Sequence, residues 1–142
     1  MMWETGERSR SLAAKLGRPR PVLLAVTVLT SLAEENLEEI GLRGPVQARV
    51  VGLAELARRA GMDGVVASPQ EIRPILQRCG PNFIIVTPGI RPAFEAGKDD
   101  QKRVMTAREA ISAGANYIVV GRPVRLAPDP AATMDKVLEE IR

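Results

Sequence analysis

Four short stretches of the chain are dominated by apolar residues, many of them β-branched, with no regular polar alternation. They cover residues 22–28, 63–67, 83–86 and 117–120. Apolar runs of this length are typical of strands that are buried on both faces of a parallel sheet. We therefore predict four parallel strands.

Helix signals separate these strands. Ser31, Ser68 and Thr106 each stand three positions before a glutamate, and this capping-box spacing predicts a helix start at each. Pro45 and Asp129 mark two further starts, and glycines mark most of the ends. The predicted helices cover residues 1–16, 31–40, 45–61, 68–79, 106–114 and 130–142, with loops at 87–105 and 121–129.

Strands that alternate with helices predict an α/β fold with a parallel sheet, either doubly wound or part of a (β/α)8 barrel. No strand is followed by Gly-x-Gly-x-x-Gly, which disfavours a dinucleotide-binding sheet. A complete barrel takes about 250 residues. Four strands in 142 residues therefore favour half a (β/α)8 barrel, and we expect residues 1–142 to form a single half-barrel domain.

Composition narrows the class of protein. With 45% hydrophobic and 26% charged residues, the chain has the composition of a globular protein and not of a disordered segment or a coiled coil. No apolar run approaches the ~18 residues of a membrane span, and the polar first ten residues show no secretory signal. We expect a cytoplasmic protein that does not associate with a membrane.

Missing residue types exclude several kinds of chemistry. The chain has no histidine, which rules out a histidine base or a histidine metal site within one chain. A single cysteine, Cys79, excludes an internal disulfide and a multi-thiolate metal site. Aromatic residues make up only 3%, which argues against a base-stacking nucleic-acid surface despite a net charge of +3. We expect no metal and no nucleic-acid partner.

Candidate chemistry lies after the strands, because ligands of α/β folds bind at the carboxyl ends of parallel strands. Arg91 follows the third predicted strand, and Gly121 and Arg122 follow the fourth. A glycine lets an anion approach the backbone, and a guanidinium can hold a phosphate with two hydrogen bonds. These positions predict a phosphate site, although a surface arginine beside a turn glycine is the simpler alternative. Ser31 and Ser68 are expected to be helix caps.

Five motifs, in order, carry a resemblance to a known family. They are LLAVTVLTS at 23–31, DGVVASPQE at 63–71, VTPGIRP at 86–92, DQKRVMT at 100–106 and YIVVGRPV at 117–124. Together they resemble orotidine 5′-phosphate decarboxylase of the bacterial type. The resemblance covers only the C-terminal half of that enzyme, strands five to eight of its barrel.

The resemblance implies a set of substrate contacts. It implies a ribose contact at Thr30. Its phosphate contacts are Arg91, Gln101, Gly121 and Arg122, and Ser68 and Pro88 match positions at the pyrimidine end. The family uses no metal and no organic cofactor. The ligand that the resemblance implies is a nucleotide monophosphate or phosphate.

The chain departs from the family at the catalytic centre. The family uses an Asp-x-Lys-x-x-Asp array in which a carboxylate crowds the departing carboxylate and a lysine protonates the C6 carbanion. This sequence contains no such array; after Asp100-Gln-Lys102, Met105 stands where the second aspartate should be. We therefore expect no catalytic residue in this chain, and we expect the chain alone to be inactive.

Two functional hypotheses remain open. The chain belongs to an enzyme that converts orotidine monophosphate to uridine monophosphate and CO2 in pyrimidine biosynthesis, or it is a non-catalytic, self-assembling half-barrel that binds phosphate or nucleotide. Met1-Met2 resembles a methionine pair inside the family's fourth helix, which suggests an internal start, a truncated gene or a fragment. We expect a homo-oligomer formed through exposed strand edges, or pairing with a complementary N-terminal half.

Overall fold

Four strands alternate with helices along the chain in the computed structural model, which describes residues 1–95 and 104–142. The strands are β1 (Leu24–Val26), β2 (Gly64–Val66), β3 (Ile84–Thr87) and β4 (Tyr117–Ile118). The helices are α1 (Met2–Leu16), α2 (Glu34–Glu39), α3 (Val46–Arg59), α4 (Ile72–Cys79), α5 (Ala107–Ala113), α6 (Arg122–Arg125) and α7 (Pro130–Glu140). Single 3-10 turns cover Pro69–Glu71 and Ala93–Glu95.

The strands form one parallel sheet in the order β1-β2-β3-β4. In its register Leu24 pairs with Gly64, Gly64 pairs with Ile84, and Val86 pairs with Tyr117. The predicted parallel α/β class is therefore confirmed. The two outer strands, β1 and β4, are shorter than the apolar runs at 22–28 and 117–120.

Asp63 ties together the starts of the first three strands. Its carboxylate accepts a hydrogen bond from the Leu23 N–H at 2.7 Å and forms an ion pair with Arg20. Its own N–H donates to the Leu23 carbonyl at 2.8 Å, and its carbonyl accepts from the Ile84 N–H at 3.0 Å. One residue thus fixes where β1 and β3 begin beside β2.

The sheet is covered on one face. Successive side chains of a strand point to opposite faces, and Val65 and Ile85 are fully buried in the core that the helices form. On the other face Val26 is 61% exposed and Tyr117 62% exposed, and Leu24 and Val119 are exposed as well. The described part of the chain therefore leaves an apolar sheet face open to solvent.

The helix caps agree largely with the sequence. Thr106 Oγ1 accepts from the Glu109 N–H at 3.2 Å, and the Glu109 carboxylate accepts from the Thr106 N–H at 2.9 Å, so this capping box is complete. Hydrogen bonds from Thr106 lower the pKa of Glu109. The bond from the Thr106 hydroxyl has the larger effect and the bond from its N–H the smaller one. Asp129 caps α7 as predicted, accepting from the Ala132 N–H at 3.0 Å.

Two local predictions are wrong. Ser31 does not cap α2, which begins at Glu34 with Ala33 as its N-cap, because the Leu32 N–H closes a turn onto the Leu29 carbonyl at 3.0 Å first. Residues 121–129 are not all loop, since they contain α6. Pro123 fits there because proline is tolerated in the first turn of a helix.

Gly64 provides a stability test of the sheet. A Cβ at this position would collide with the Ile84 carbonyl oxygen, whereas a Cβ at Gly52, which is exposed on α3, would have no neighbour within 4 Å. We expect Gly64→Ala to lower the free energy of unfolding by about 1–3 kcal/mol. Gly52→Ala should raise it by about 0.5–1 kcal/mol. Urea denaturation measures both, and equal stability of the two variants would contradict this packing.

Candidate functional site

The segments that follow the four strands lie side by side at the carboxyl edge of the sheet. Hydrogen bonds continue past the strand ends: the Thr27 N–H donates to Val66 at 3.0 Å, and the Ala67 N–H donates to Val86 at 3.2 Å. The Val119 N–H donates to Thr87 at 2.9 Å. The candidate residues that sequence reasoning placed after different strands therefore start from neighbouring points.

A cleft of about 250 Å³ lies at this edge between the ends of β1, β2 and β3. Thr30, Ser31 and Pro88 contribute to its wall, so the structure brings two of the predicted substrate positions, Thr30 and Pro88, together. The other lining residues are Val26, Val28, Leu29, Val66 and Ala67. The cleft is therefore mostly apolar, with hydroxyl groups along one side.

The capping role that the sequence predicts for both Ser31 and Ser68 is found only at Ser68. Ser31, predicted as a cap, is exposed and lines the cleft. Ser68 is fully buried, and its hydroxyl accepts from the Gln70 N–H at 3.4 Å, so it caps the turn Pro69–Glu71 as the simpler prediction has it. Among these neighbours Ala67, and not Ser68, faces the cleft.

Arg91 is fixed at the same edge by its backbone. Its N–H donates to the Met105 carbonyl at 3.0 Å, and Met105 donates in turn to the Gly89 carbonyl at 3.4 Å. Gly89 has a φ of +78°, a left-handed conformation that favours glycine at this turn. The guanidinium is half-buried and donates from Nη1 to the Ile90 carbonyl at 2.8 Å.

Gly121 is the N-cap of α6, which begins at Arg122 shortly after the end of β4. The Gly121 carbonyl accepts from the Val124 N–H at 3.1 Å and the Arg125 N–H at 3.0 Å, which fixes this tight turn. Gly121 is exposed with open space on its Cβ side, and Arg122 is half-buried. Gln101, the remaining predicted phosphate contact, lies outside the described residues.

The described residues contain no group of three or more side chains suited to a metal ion. None of the described helices is long and apolar enough to cross a membrane.

Cys79 ends α4, the helix that leads to the opposite edge of the sheet. Burial raises the pKa of its thiol, although the charge of Arg58 opposes this shift.

The amino-acid sequence of the chain matches a known protein family. Residues 4–137 match the model of the orotidine 5′-phosphate decarboxylase / HUMPS family. The chain belongs to this family. The match extends over all four strands and both arginine-bearing segments, so the resemblance that the five motifs indicate is confirmed.

Individual relatives agree with the family model. The chain is 58% identical over 125 residues to orotidine 5′-phosphate decarboxylase of Geobacter sulfurreducens, covering 88% of this chain and 52% of that protein. It is 52% identical over 140 residues to the enzyme of the same name from Pelobacter propionicus, covering 99% of this chain and 57% of the relative. The chain thus spans about half the length of these relatives.

A solved structure supports the fold. The crystal structure of orotidine 5′-phosphate decarboxylase from Lactobacillus acidophilus matches with a TM-score of 0.71 and 39% identity, over 89% of this chain and 51% of that one. The predicted fold class, half of the (β/α)8 barrel of this family, is therefore confirmed.

Proposed function

We propose that this chain supplies the phosphate-binding half of an orotidine 5′-phosphate decarboxylase site. The observation that carries the proposal is the position of Arg91 and Arg122, which follow neighbouring strands at the carboxyl edge that also holds the cleft. The names of the relatives supply the reaction, conversion of orotidine monophosphate to uridine monophosphate and CO2. We place this activity in cytoplasmic pyrimidine biosynthesis.

One segment links the cleft with an arginine. Pro88 lines the cleft, and Arg91 is three residues further along the same stretch after β3. A nucleotide whose base occupies the mostly apolar cleft can therefore extend its phosphate toward Arg91. Thr30, only 8% exposed, lies on the cleft wall as the proposed ribose contact.

Two guanidinium groups suit a phosphate dianion. Each can donate two parallel hydrogen bonds to phosphate oxygens, and these bonds are charge-assisted. Lysine in place of arginine keeps the charge but loses the planar fork. Gly121, with open space beside it, leaves room for the anion next to Arg122.

We expect the groups for decarboxylation itself to lie outside these 142 residues. The sequence has no Asp-x-Lys-x-x-Asp array, and enzymes usually gain most of their rate acceleration from electrostatic stabilisation by preorganised groups of this kind. The second candidate function, a non-catalytic half-barrel that binds phosphate or nucleotide, is favoured by this same feature of the sequence.

Activity measurements separate the two candidates. We expect the purified chain to leave the absorbance of orotidine monophosphate unchanged, because it lacks the catalytic array. Mixed with the N-terminal portion of the Geobacter sulfurreducens relative that this chain does not match, it should support turnover. Turnover by this chain alone would contradict the first expectation, and no turnover by a stable mixed complex would favour the non-catalytic function.

Binding measurements test the phosphate site. Uridine monophosphate should bind with a dissociation constant near a millimolar, about 4 kcal/mol. Arg91→Ala and Arg122→Lys should each weaken it about tenfold, ~1.4 kcal/mol, through loss of a bidentate contact. Arg59→Ala, on an exposed arginine at the end of α3 near the opposite edge, is the matched control. Equal affinity of all variants in calorimetry would refute the site.

We further propose that residues 1–142 form one half-barrel domain whose open sheet is covered by a complementary N-terminal half or by a second copy of this chain. Exposed strand edges pair readily with other chains. The exposed apolar face at Val26 and Tyr117 adds to this, because burying apolar surface away from water lowers the free energy.

Sedimentation tests this assembly. At micromolar concentration the chain should form dimers or larger species. Val26→Lys should shift it toward monomer, because it places a charge on the open face. Leu12→Lys, on a residue that is 57% exposed on α1, should leave the assembly unchanged. A monodisperse wild-type monomer would contradict the proposal.

A further inference from the structure

The carboxylate of Glu140 accepts hydrogen bonds from the 3-10 turn that follows β3 and from the first turn of α5. Oε2 accepts from the Ala93 N–H at 3.3 Å, and Oε1 accepts from the Arg108 N–H at 3.5 Å. Both distances are longer than those of most N–H···O hydrogen bonds. Arg108 lies in the first turn of α5, whose N–H groups have no partner within the helix and favour a negative charge.

Arg91 lies between two backbone attachments. The first is its own hydrogen bond to Met105, which closes the base of the connection. The second is the Glu140 bond at Ala93, two residues further on. Between them Pro92 is fully buried. The course of the main chain at Arg91 is therefore fixed on both sides, and one of the two attachments depends on a single side chain of α7.

Helix α7 also supports the other arginine-bearing segment. α6, which begins with Arg122, packs against α7. One turn before Glu140, the Lys136 ammonium lies 5.6 Å from the ring centroid of Phe94, next to Ala93. Contacts of α7 thus reach both the segment after Arg91 and the segment that carries Arg122.

We propose that Glu140 is a positioning residue that sets the location of Arg91 relative to Arg122 and so determines how well the site holds a phosphate. This inference rests on the proposed phosphate site. Glu140 itself acts through the Ala93 and Arg108 N–H groups and has no contact with the ligand in this role. Its carboxylate geometry matters, because each oxygen serves one of the two N–H groups.

The test compares Glu140→Ala, Glu140→Gln and the control Glu139→Ala, which removes an exposed carboxylate one residue earlier in α7. Calorimetry with uridine monophosphate, inorganic phosphate and uridine measures binding, and amide exchange at Ala93 and Arg108 reports the two hydrogen bonds. We expect about tenfold weaker binding of the two phosphate ligands to Glu140→Ala, ~1.4 kcal/mol, with uridine unaffected. Glu140→Gln, which keeps one acceptor oxygen, should fall between Glu140→Ala and the wild type.

Other results overturn the inference in distinguishable ways. Unchanged phosphate affinity in Glu140→Ala, with faster exchange at both amides, would mean that the Glu140 hydrogen bonds stabilise the fold but do not affect phosphate binding. Equal weakening of phosphate and uridine binding, or equal loss in Glu139→Ala, would indicate a general loss of stability. If the wild type binds none of the phosphate ligands, the proposed phosphate site fails, and the positioning role fails with it even if amide exchange shows the hydrogen bonds. Phosphate affinity restored toward wild type in Glu140→Gln supports the inference even if Glu140→Ala folds poorly.

Discussion

The cleft at the carboxyl edge depends on the register of the first three strands, which Asp63 aligns at the opposite edge. Its N–H and carboxylate bond to Leu23, just before β1, and its carbonyl accepts from the Ile84 N–H at the start of β3. A shift of one residue would exchange the two faces of a strand. It would turn Val65 toward solvent and displace the cleft wall at Thr30 from the wall at Pro88.

This arrangement divides the sheet into two chemical zones. At the starts of the strands, polar groups satisfy one another within the chain, as in the ion pair between Arg20 and Asp63. At the ends, Thr30 and Ser31 line the cleft, and Arg91 and Arg122 follow β3 and β4. The ion pair and the candidate binding residues thus belong to opposite edges of the sheet.

Much of the fold follows from local sequence, because its signals are local. The apolar run at residues 83–86 and the capping box of Thr106 each depend on neighbours a few positions away, and both give elements close to where they are predicted. The Ser31 box fails because a turn at Leu29 intervenes, and this turn depends on how the chain leaves β1. α6 is not predicted because two arginines around a proline carry no helix pattern.

The sequence predicts only part of the candidate site. The arginines can be placed at the strand ends by order along the chain, but the cleft wall includes Val28, Leu29 and Ala67, whose apolar side chains predict only strand or core. Glu140 gives no signal, since a glutamate near the end of an exposed helix is ordinary and its partners are backbone N–H groups distant in sequence.

The shortness of the outer strands determines how the open sheet can be covered. β1 has three residues and β4 has two, so either edge offers few backbone hydrogen bonds to an added strand. Most of the attraction must then come from the apolar face. Association driven in this way weakens on cooling, strengthens in sulfate and carries a negative heat-capacity change.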